Sequence, residues 1–147
     1  MPEQRPGPPG LYRPAVASQP LALPLAGHRV VAGFPSPADD HLEDRLDLNA
    51  YLIRHPAATF LMRVAGESML GEGIHPGDLL VVDRALSARS GRVVVVALDG
   101  ELTVKRLRED TEGIWLDPAN PDYPSLAITE AMDCEVWGVV THVIHAL

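Results

Sequence analysis

The stretch that decides the fold is Val93-Val94-Val95-Val96-Ala97-Leu98-Asp99-Gly100-Glu101-Leu102-Thr103-Val104-Lys105. Two apolar runs rich in β-branched residues flank Asp99-Gly100, a pair that is typical of a two-residue type I′ turn. Counting back from such a turn, Val94 faces Lys105 on the neighbouring strand. The stretch therefore predicts a β-hairpin that holds Lys105 on a strand face beside valines, where loss of hydration lowers the pKa of an amine.

Strand signals continue on both sides of this hairpin, and clusters of Gly, Pro, Asn and Asp separate them. The predicted strands are Phe60 to Val64, Leu79 to Val82, Val93 to Leu98, Leu102 to Leu107, Ile114 to Leu116 and Val136 to Ile144. One short helix is expected between a possible cap at Asp47 and His55-Pro56, because the apolar residues between them follow helical spacing. We therefore predict a mainly β domain with one short helix.

The N-terminal part of the chain has a different composition from the rest. Nine of the fourteen prolines lie in the first 37 residues. Proline fixes φ and lacks a backbone donor, so it disfavours both helix and sheet. We predict an extended, mobile N-terminal arm in front of the β domain.

Composition limits the class of protein. A chain of 147 residues with 46% hydrophobic residues is enough for one domain with a core. The formal net charge of -8 argues against the basic surface that neutralises phosphates, so direct DNA binding is not expected. A single cysteine, Cys134, excludes an intrachain disulfide and fits a reducing compartment. The sequence lacks the long apolar segment that export or membrane anchoring requires, so we expect a cytoplasmic protein.

The hexapeptide Val64-Ala65-Gly66-Glu67-Ser68-Met69 follows one of the predicted strands. Its small residues let a bound peptide approach the backbone, and the N–H groups of Glu67 and Ser68 are candidates for an oxyanion hole. Lys105 is the only lysine, against eleven arginines. A buried ammonium can lose its proton, whereas a guanidinium stays charged. Ser68 and Lys105 are therefore candidates for a nucleophile and its base, with a plain loop serine as the competing interpretation.

A serine-histidine-aspartate triad is an alternative to this pair. His75 with Asp78 or Asp83 would supply the histidine and the carboxylate for Ser68, but nothing in the sequence fixes their geometry. The competing interpretation of these three residues is that they are polar groups of a turn and a strand edge.

A metal site is not expected from the two histidines near the end of the chain. His142 and His145 are three residues apart in a predicted strand, where their side chains point to opposite faces. Two ligands on opposite faces cannot share an ion. We predict no metal and no other cofactor.

Seven short stretches, in order and with consistent spacing, resemble the LexA-like family of self-cleaving serine-lysine peptidases. They are Gly33-Phe34-Pro35-Ser36-Pro37, Asp47-Leu48-Asn49, His55-Pro56, Gly66-Glu67-Ser68-Met69, Gly77-Asp78-Leu79-Leu80-Val81-Val82-Asp83, Asp99-Gly100-Glu101-Leu102-Thr103-Val104-Lys105 and Gly138-Val139-Val140-Thr141-His142-Val143. The resemblance implies that Ser68 is the nucleophile, that Lys105 is its general base, and that the bond between Ala32 and Gly33 is cut. Residues 1–32 would then be the arm that is removed, and residues 33–147 the mature accessory factor.

The same resemblance implies partners. It points to a homodimer whose self-cleavage is stimulated by RecA filaments on single-stranded DNA. The processed form would serve a UmuC-type subunit of an error-prone translesion polymerase in the SOS response. No helix-turn-helix can be fitted before the cut, so the mutagenesis branch of the family is indicated rather than a repressor.

Two other classes compete with this interpretation. One is a non-cleaving interaction module that regulates a polymerase or RecA. The other is a signal-peptidase-type enzyme, which shares serine-lysine chemistry but is disfavoured by the missing membrane anchor and by Leu70-Gly71 after the serine.

Overall fold

The computed structural model describes residues 11–12, 19–27, 29–30, 32–33 and 42–147. The chain divides into two compact units, Ala15–Arg54 and a larger one made of Met1–Pro14 with His55–Leu147. This structural division is separate from the predicted division by cleavage after residue 32, which stays a prediction.

The secondary structure of the described residues is mainly β, with one short α-helix, as the sequence predicts. The elements in chain order are β1 (Leu11–Tyr12), β2 (Ala22–Ala26), β3 (Leu42–Asp47), α1 (Leu48–Leu52), β4 (Thr59–Arg63), β5 (Leu79–Asp83), β6 (Val93–Leu98), β7 (Glu101–Asp110), β8 (Gly113–Asp117), β9 (Leu126–Ala127) and β10 (Cys134–Ile144), with 3-10 turns at Pro56–Ala58 and Leu70–Glu72. All six predicted strands from residue 60 onward are present, and several extend one to three residues further than predicted.

The larger unit is built on an antiparallel eight-stranded sheet with the order β1-β4-β5-β10-β6-β7-β8-β9. The predicted hairpin is confirmed residue by residue, because Val94 pairs with Lys105 and Leu98 with Glu101. Asp99 and Gly100 both have positive φ, 47° and 85°, as a type I′ turn requires. Turn chemistry alone thus fixes the position of Lys105 in the sheet.

The core forms two apolar clusters to which alternate residues of β6 contribute. Val95 belongs to one cluster with Met69, Ile74 and Val82, whereas Val94 and Val96 belong to the other. Successive side chains of a strand point to opposite faces, so a strand covered on both sides is apolar throughout. This explains why β6 shows an unbroken run of valines instead of an alternating pattern.

Strand β10 lies between β5 and β6 and carries two register shifts, one at Val136/Gly138 and one at Val140/His142. At the first shift the backbone of Gly138 passes so close to β5 that an added Cβ would lie 2.6 Å from Cγ1 of the buried Val82. Only glycine permits this approach. The two halves of the sheet are therefore joined through a strand that is tightly packed at its centre.

The smaller unit corrects one expectation from the sequence. Strand β2 pairs with β3 in a two-stranded sheet although it contains Pro24, which lies opposite Arg45. In a two-stranded sheet each strand has an unpaired edge, and the missing N–H of proline costs nothing where it faces that edge. The expectation that prolines disfavour sheet in the arm is thus wrong for Ala22–Ala26, and also for β1, which pairs with β4 in the larger unit.

Helix α1 begins where the sequence predicts. The Asp47 carboxylate accepts hydrogen bonds from the backbone N–H groups of Asn49 at 3.0 Å and Ala50 at 3.5 Å. These bonds satisfy donors that would otherwise be unpaired at the first turn of a helix. The predicted cap is confirmed.

Candidate active site

Ser68 lies in the turn that leaves β4 and enters the 3-10 turn Leu70–Glu72. The turn includes Gly66, whose backbone has a positive φ of 82° that other residues rarely adopt. Ser68 itself is partly exposed, whereas the next residue, Met69, is only 2% exposed and packs in the core. The buried methionine anchors the turn and holds the serine hydroxyl at the surface of the domain.

Lys105 reaches this serine from the middle of β7. Its Nζ lies 2.8 Å from Ser68 Oγ, 3.0 Å from Thr103 Oγ1 and 3.1 Å from the carbonyl oxygen of Val104. Thr103 is two residues before Lys105 on the same strand, so both side chains stand on one face. The two candidates that the sequence offers are therefore brought within hydrogen-bonding distance of each other.

The surroundings of Lys105 favour its neutral form. Partial burial lowers the pKa of the Lys105 amine below the ordinary value for lysine. Within the described part of the chain, no ion pair includes Lys105. Without a carboxylate to stabilise the ammonium, loss of hydration acts unopposed and makes the amine a better proton acceptor.

The turn that carries Ser68 is held by the loop that follows β8. Ala119 N–H donates to the Ser68 carbonyl at 2.8 Å, and Gly71 N–H donates to the Ala119 carbonyl at 2.7 Å. The side-chain amide of Asn120 donates to the Glu67 carbonyl at 2.8 Å. Three hydrogen bonds thus fix successive peptide groups around the serine.

An ion pair ties the same turn to β7. Arg106, the neighbour of Lys105, donates from both Nε and Nη2 to the carboxylate of Glu72, with an Nε distance of 2.8 Å. Both nitrogens donate to the same oxygen, Oε1, so one edge of the guanidinium faces this atom in a charge-assisted contact. The segments that carry Ser68 and Lys105 are therefore clamped together one residue away from the lysine and four from the serine.

These contacts orient the backbone donors near Ser68. In a trans peptide the C=O and N–H groups point in opposite directions. Because the Glu67 carbonyl is directed toward Asn120, the Ser68 N–H in the same peptide plane points the other way. Among the residues that the structure describes, neither Glu67 N–H nor Ser68 N–H donates to a backbone carbonyl outside helices and strands. The prediction that these two groups form an oxyanion hole is compatible with this arrangement.

The scissile bond predicted by the resemblance lies in the other compact unit. Ala32 and Gly33 are exposed and form a bend. An added Cβ at Gly33 would meet nothing within 4 Å. The bond is thus accessible in the unit that carries it.

A comparison with protein families identifies the chain. The family model described as Peptidase S24-like matches residues 24–141, a range that includes Ser68, Lys105 and the predicted cleavage site. The chain belongs to the peptidase S24-like family. A match over this range confirms the resemblance to LexA-like peptidases that the short stretches indicate.

Three relatives of this S24-like chain cover most of its length. It is 52% identical to protein SamA of Salmonella typhimurium over 83% of this chain and 84% of the relative. It is 47% identical to protein ImpA of Escherichia coli over 91% and 92%, and 43% identical to protein MucA of Escherichia coli over 90% of each. These relatives are UmuD-like, so the resemblance extends to the UmuD-like members of the family.

The alternative triad is not formed in the part of the S24-like domain that the structure describes. Ser68 Oγ contacts Lys105, and the Asp83 carboxylate lies 2.6 Å from Nδ1 of His55. Asp78 is bonded to His145, at 2.5 Å from its Nδ1. His75 Nδ1 lies 3.6 Å from Asp78 Oδ2, too far for the hydrogen bond of a triad, and no hydrogen bond joins His75 to Ser68 among the described residues.

Sequence reasoning missed the residues that position the S24-like site. The sequence around Ala119 and Asn120 indicates only a turn, and no pattern marks the ion pair between Arg106 and Glu72. Asn120 and Glu67 are 53 positions apart, and Arg106 and Glu72 are 34 apart. No local pattern reports contacts of this kind, because they depend on how distant strands are ordered in the sheet.

One further finding concerns membranes. Among the residues that the structure describes, no helix combines the length and the apolar character needed to cross a bilayer.

Proposed function

We propose that this chain is a UmuD-like self-cleaving serine peptidase in which Ser68 is the nucleophile and Lys105 the general base. It cuts between Ala32 and Gly33, which removes residues 1–32 and leaves residues 33–147 as the working accessory factor. The observation that carries the proposal is the 2.8 Å contact between Lys105 Nζ and Ser68 Oγ. Membership of a peptidase family supports it.

The hydrogen bonds of Lys105 suit a neutral amine that acts as a base. A neutral amine keeps two N–H donors and gains one lone pair. Its donors can be used by Thr103 Oγ1 and the Val104 carbonyl, which leaves the lone pair directed at the Ser68 hydroxyl. In this arrangement the hydroxyl donates to Nζ, which is the geometry that precedes proton transfer.

The reaction then follows in two steps. Ser68 Oγ transfers its proton to Lys105 and attacks the Ala32 carbonyl carbon, and the protonated lysine gives that proton to the Gly33 nitrogen as the peptide bond breaks. Water, deprotonated by Lys105, hydrolyses the acyl-serine and restores the hydroxyl. The backbone N–H groups of Glu67 and Ser68 stabilise the oxyanion in both steps, and such a donor contributes about 2.7 to 4 kcal/mol in serine proteases.

The partners form part of the proposal. The chain acts as a cytoplasmic homodimer, and a RecA filament on single-stranded DNA stimulates cleavage by favouring the state in which the bond is presented to Ser68. An activator that binds one state more tightly shifts the population toward it and needs to supply no catalytic group. The product then serves a UmuC-type polymerase subunit in SOS mutagenesis. The relatives SamA, ImpA and MucA support the UmuD-like role from which this partner is inferred.

Intact-mass measurement with and without RecA filaments tests the proposal. Wild-type protein is expected to yield a species that begins at Gly33, faster when filaments are present. Gly33→Glu is expected to block cleavage, because a charged side chain next to the scissile bond collides with the backbone around Ser68, and a displacement of about 1 Å costs on the order of 10²-fold in rate. Folding should be retained, since Gly33 is exposed.

Gly27→Glu is the matched control for this experiment. It makes the same substitution at another exposed glycine of the arm, six residues before the predicted bond. It is expected to be cut like wild type. Cleavage of Gly33→Glu after Ala32 would contradict the assigned bond, and a wild-type protein that stays whole with filaments would favour the non-cleaving interaction module.

Spontaneous cleavage without filaments is expected to accelerate as pH rises. Burial lowers the pKa of the Lys105 amine, and the neutral fraction that can act as a base grows as the pH rises toward this lowered pKa. The rate should rise about tenfold per pH unit at first and level off once the pH passes the lowered pKa, below the ordinary lysine value. Initial rates from intact masses across pH values check this, and a flat profile would argue against a lysine base.

A further inference from the structure

A cluster of two histidines and one aspartate lies outside the Ser68 site. Asp78 is buried, with only 4% of its surface exposed, and its Oδ1 lies 2.5 Å from His145 Nδ1. His75 stands on the other side of the carboxylate, with its Nδ1 3.6 Å from Oδ2. The two imidazole rings are 4.7 Å apart between centroids. Three donor atoms of types that bind metals therefore converge on one point, within 4.8 Å of one another.

One of these donors makes no hydrogen bond within the described part of the chain. Nδ1 of His75 is buried and makes no hydrogen bond to any described residue. A buried polar atom without a partner costs free energy, and native structures rarely leave one without a reason. A bound cation that accepts the Nδ1 lone pair would remove that cost. This is the observation that distinguishes the cluster from an ordinary histidine-aspartate pair.

The backbone holds the three residues in place. Ile74, just before His75, is 2% exposed, and Asp78 is fixed by hydrogen bonds of its backbone to His75 and Val64. His145 directly follows Ile144, which pairs with Leu79 where β10 meets β5. The turn before β5 and the end of β10 thus present their ligands from two rigid elements, as a preorganised site requires.

The geometry points to a site for a divalent late first-row metal ion, with zinc as its representative, held by His75, Asp78 and His145. Two imidazole nitrogens and one carboxylate oxygen are the donors that such ions prefer, whereas Mg²⁺ and Ca²⁺ select oxygen ligands. Around a tetrahedral ion with bonds of about 2.0 to 2.1 Å, ligand atoms lie roughly 3.3 Å apart. The 3.6 Å between His75 Nδ1 and Asp78 Oδ2 already approaches that separation.

Binding needs only small side-chain movements. His145 Nδ1 must move away from Asp78 Oδ1, so that the ion replaces their hydrogen bond, and both imidazoles must turn slightly toward the ion. Their side chains are 46% and 44% exposed, which leaves them free to turn and leaves an entry path from solvent. Three protein ligands leave the fourth position to water. The ion would join the start of β5 to the end of β10.

Calorimetric titration of tag-free, full-length, metal-free protein with zinc chloride tests the site. Wild type is expected to bind one zinc ion per chain, and zinc is expected to raise the melting temperature. His75→Asn and His145→Asn should each weaken binding by at least tenfold, on the scale of losses seen for metal-site substitutions. Magnesium chloride should produce no heat of binding and no change in melting temperature.

His55→Asn is the matched control, because His55 also contacts a buried aspartate, Asp83, but has no second histidine beside it among the described residues. It should destabilise the protein as His145→Asn does and leave zinc affinity unchanged. Equal loss in all three variants, or wild-type affinity in His75→Asn, would overturn the site and indicate adventitious zinc only. If a variant does not fold, visible absorption of Co²⁺-loaded wild type decides, since bands of a four-coordinate ion support the site and the spectrum of hydrated Co²⁺ refutes it.

Discussion

Replacing Lys105 with arginine is expected to abolish self-cleavage, although the substitution conserves positive charge. A guanidinium cannot give up its proton at any pH at which the protein is folded, so it cannot accept one from Ser68. Loss of a base or nucleophile from a serine peptidase lowers the rate by about 10⁴-fold or more. Ser68→Ala should have an effect of the same size. Intact-mass time courses with RecA filaments measure both.

The controls change side chains of the same types at exposed positions. Arg89→Lys exchanges the two basic side chains in the opposite direction, and Ser87→Ala removes a hydroxyl from an exposed loop. Both should be cut like wild type, and thermal melts should show that all four proteins fold. Cleavage of Lys105→Arg at a rate near wild type would mean that another group is the base, because arginine cannot accept the proton of Ser68.

Gly71→Ala is expected to slow cleavage strongly while the domain stays folded. An added Cβ at Gly71 would lie 2.7 Å from the carbonyl oxygen of Ala119, a backbone atom that cannot turn aside. That carbonyl accepts the Gly71 N–H, and Ala119 N–H in turn donates to the Ser68 carbonyl. Relief of the clash must therefore move the loop away from the serine. A displacement of about 1 Å in a catalytic group costs on the order of 10²-fold in rate.

The adjacent substitution Leu70→Ala is the control for Gly71→Ala. Leu70 is in the same 3-10 turn and is 37% exposed, so its truncation alters the turn without pushing on Ala119. Cleavage rates come from intact masses and folding from thermal melts. Wild-type cleavage in Gly71→Ala would show that the contact with Ala119 does not position Ser68, and rates lowered equally in both variants would show that the turn is merely sensitive to change.

Local chemistry explains what could be predicted from the sequence. Asp99-Gly100 demands a two-residue turn, so the register that sets Val94 against Lys105 follows without knowledge of the rest of the fold. Asp47 begins α1 for a similarly local reason. The contact between Lys105 and Ser68 was a different kind of inference, because it relied on the types of the two residues and on a family resemblance, and 37 positions separate them.

The features that the sequence does not predict depend on pairing between distant segments or on a proline that is accommodated within a strand. Strand β2 was not predicted because proline usually breaks sheets, and the sequence does not reveal that its only partner is β3 among the described strands. The sequence suggests His142 as the nearest possible partner of His145 in a metal site, whereas the fold brings His145 to Asp78, 67 positions away. Side chains three positions apart in a strand point to opposite faces, so His142 and His145 diverge. The end of β10 nevertheless lies beside the start of β5, which brings His145 close to Asp78.

The place of β10 in the sheet has a consequence for the newly made polypeptide. Of the described strands, β10 is the last in sequence, yet it lies between the half that leads into Ser68 and the half that carries Lys105. A ribosome releases the other strands first, and they cannot close into one sheet until this strand emerges. Domains fold as units during synthesis at about 5–20 residues per second. If the chain is the self-cleaving peptidase proposed above, Ser68 and Lys105 are expected to come together only after β10 has been synthesised and the sheet has closed.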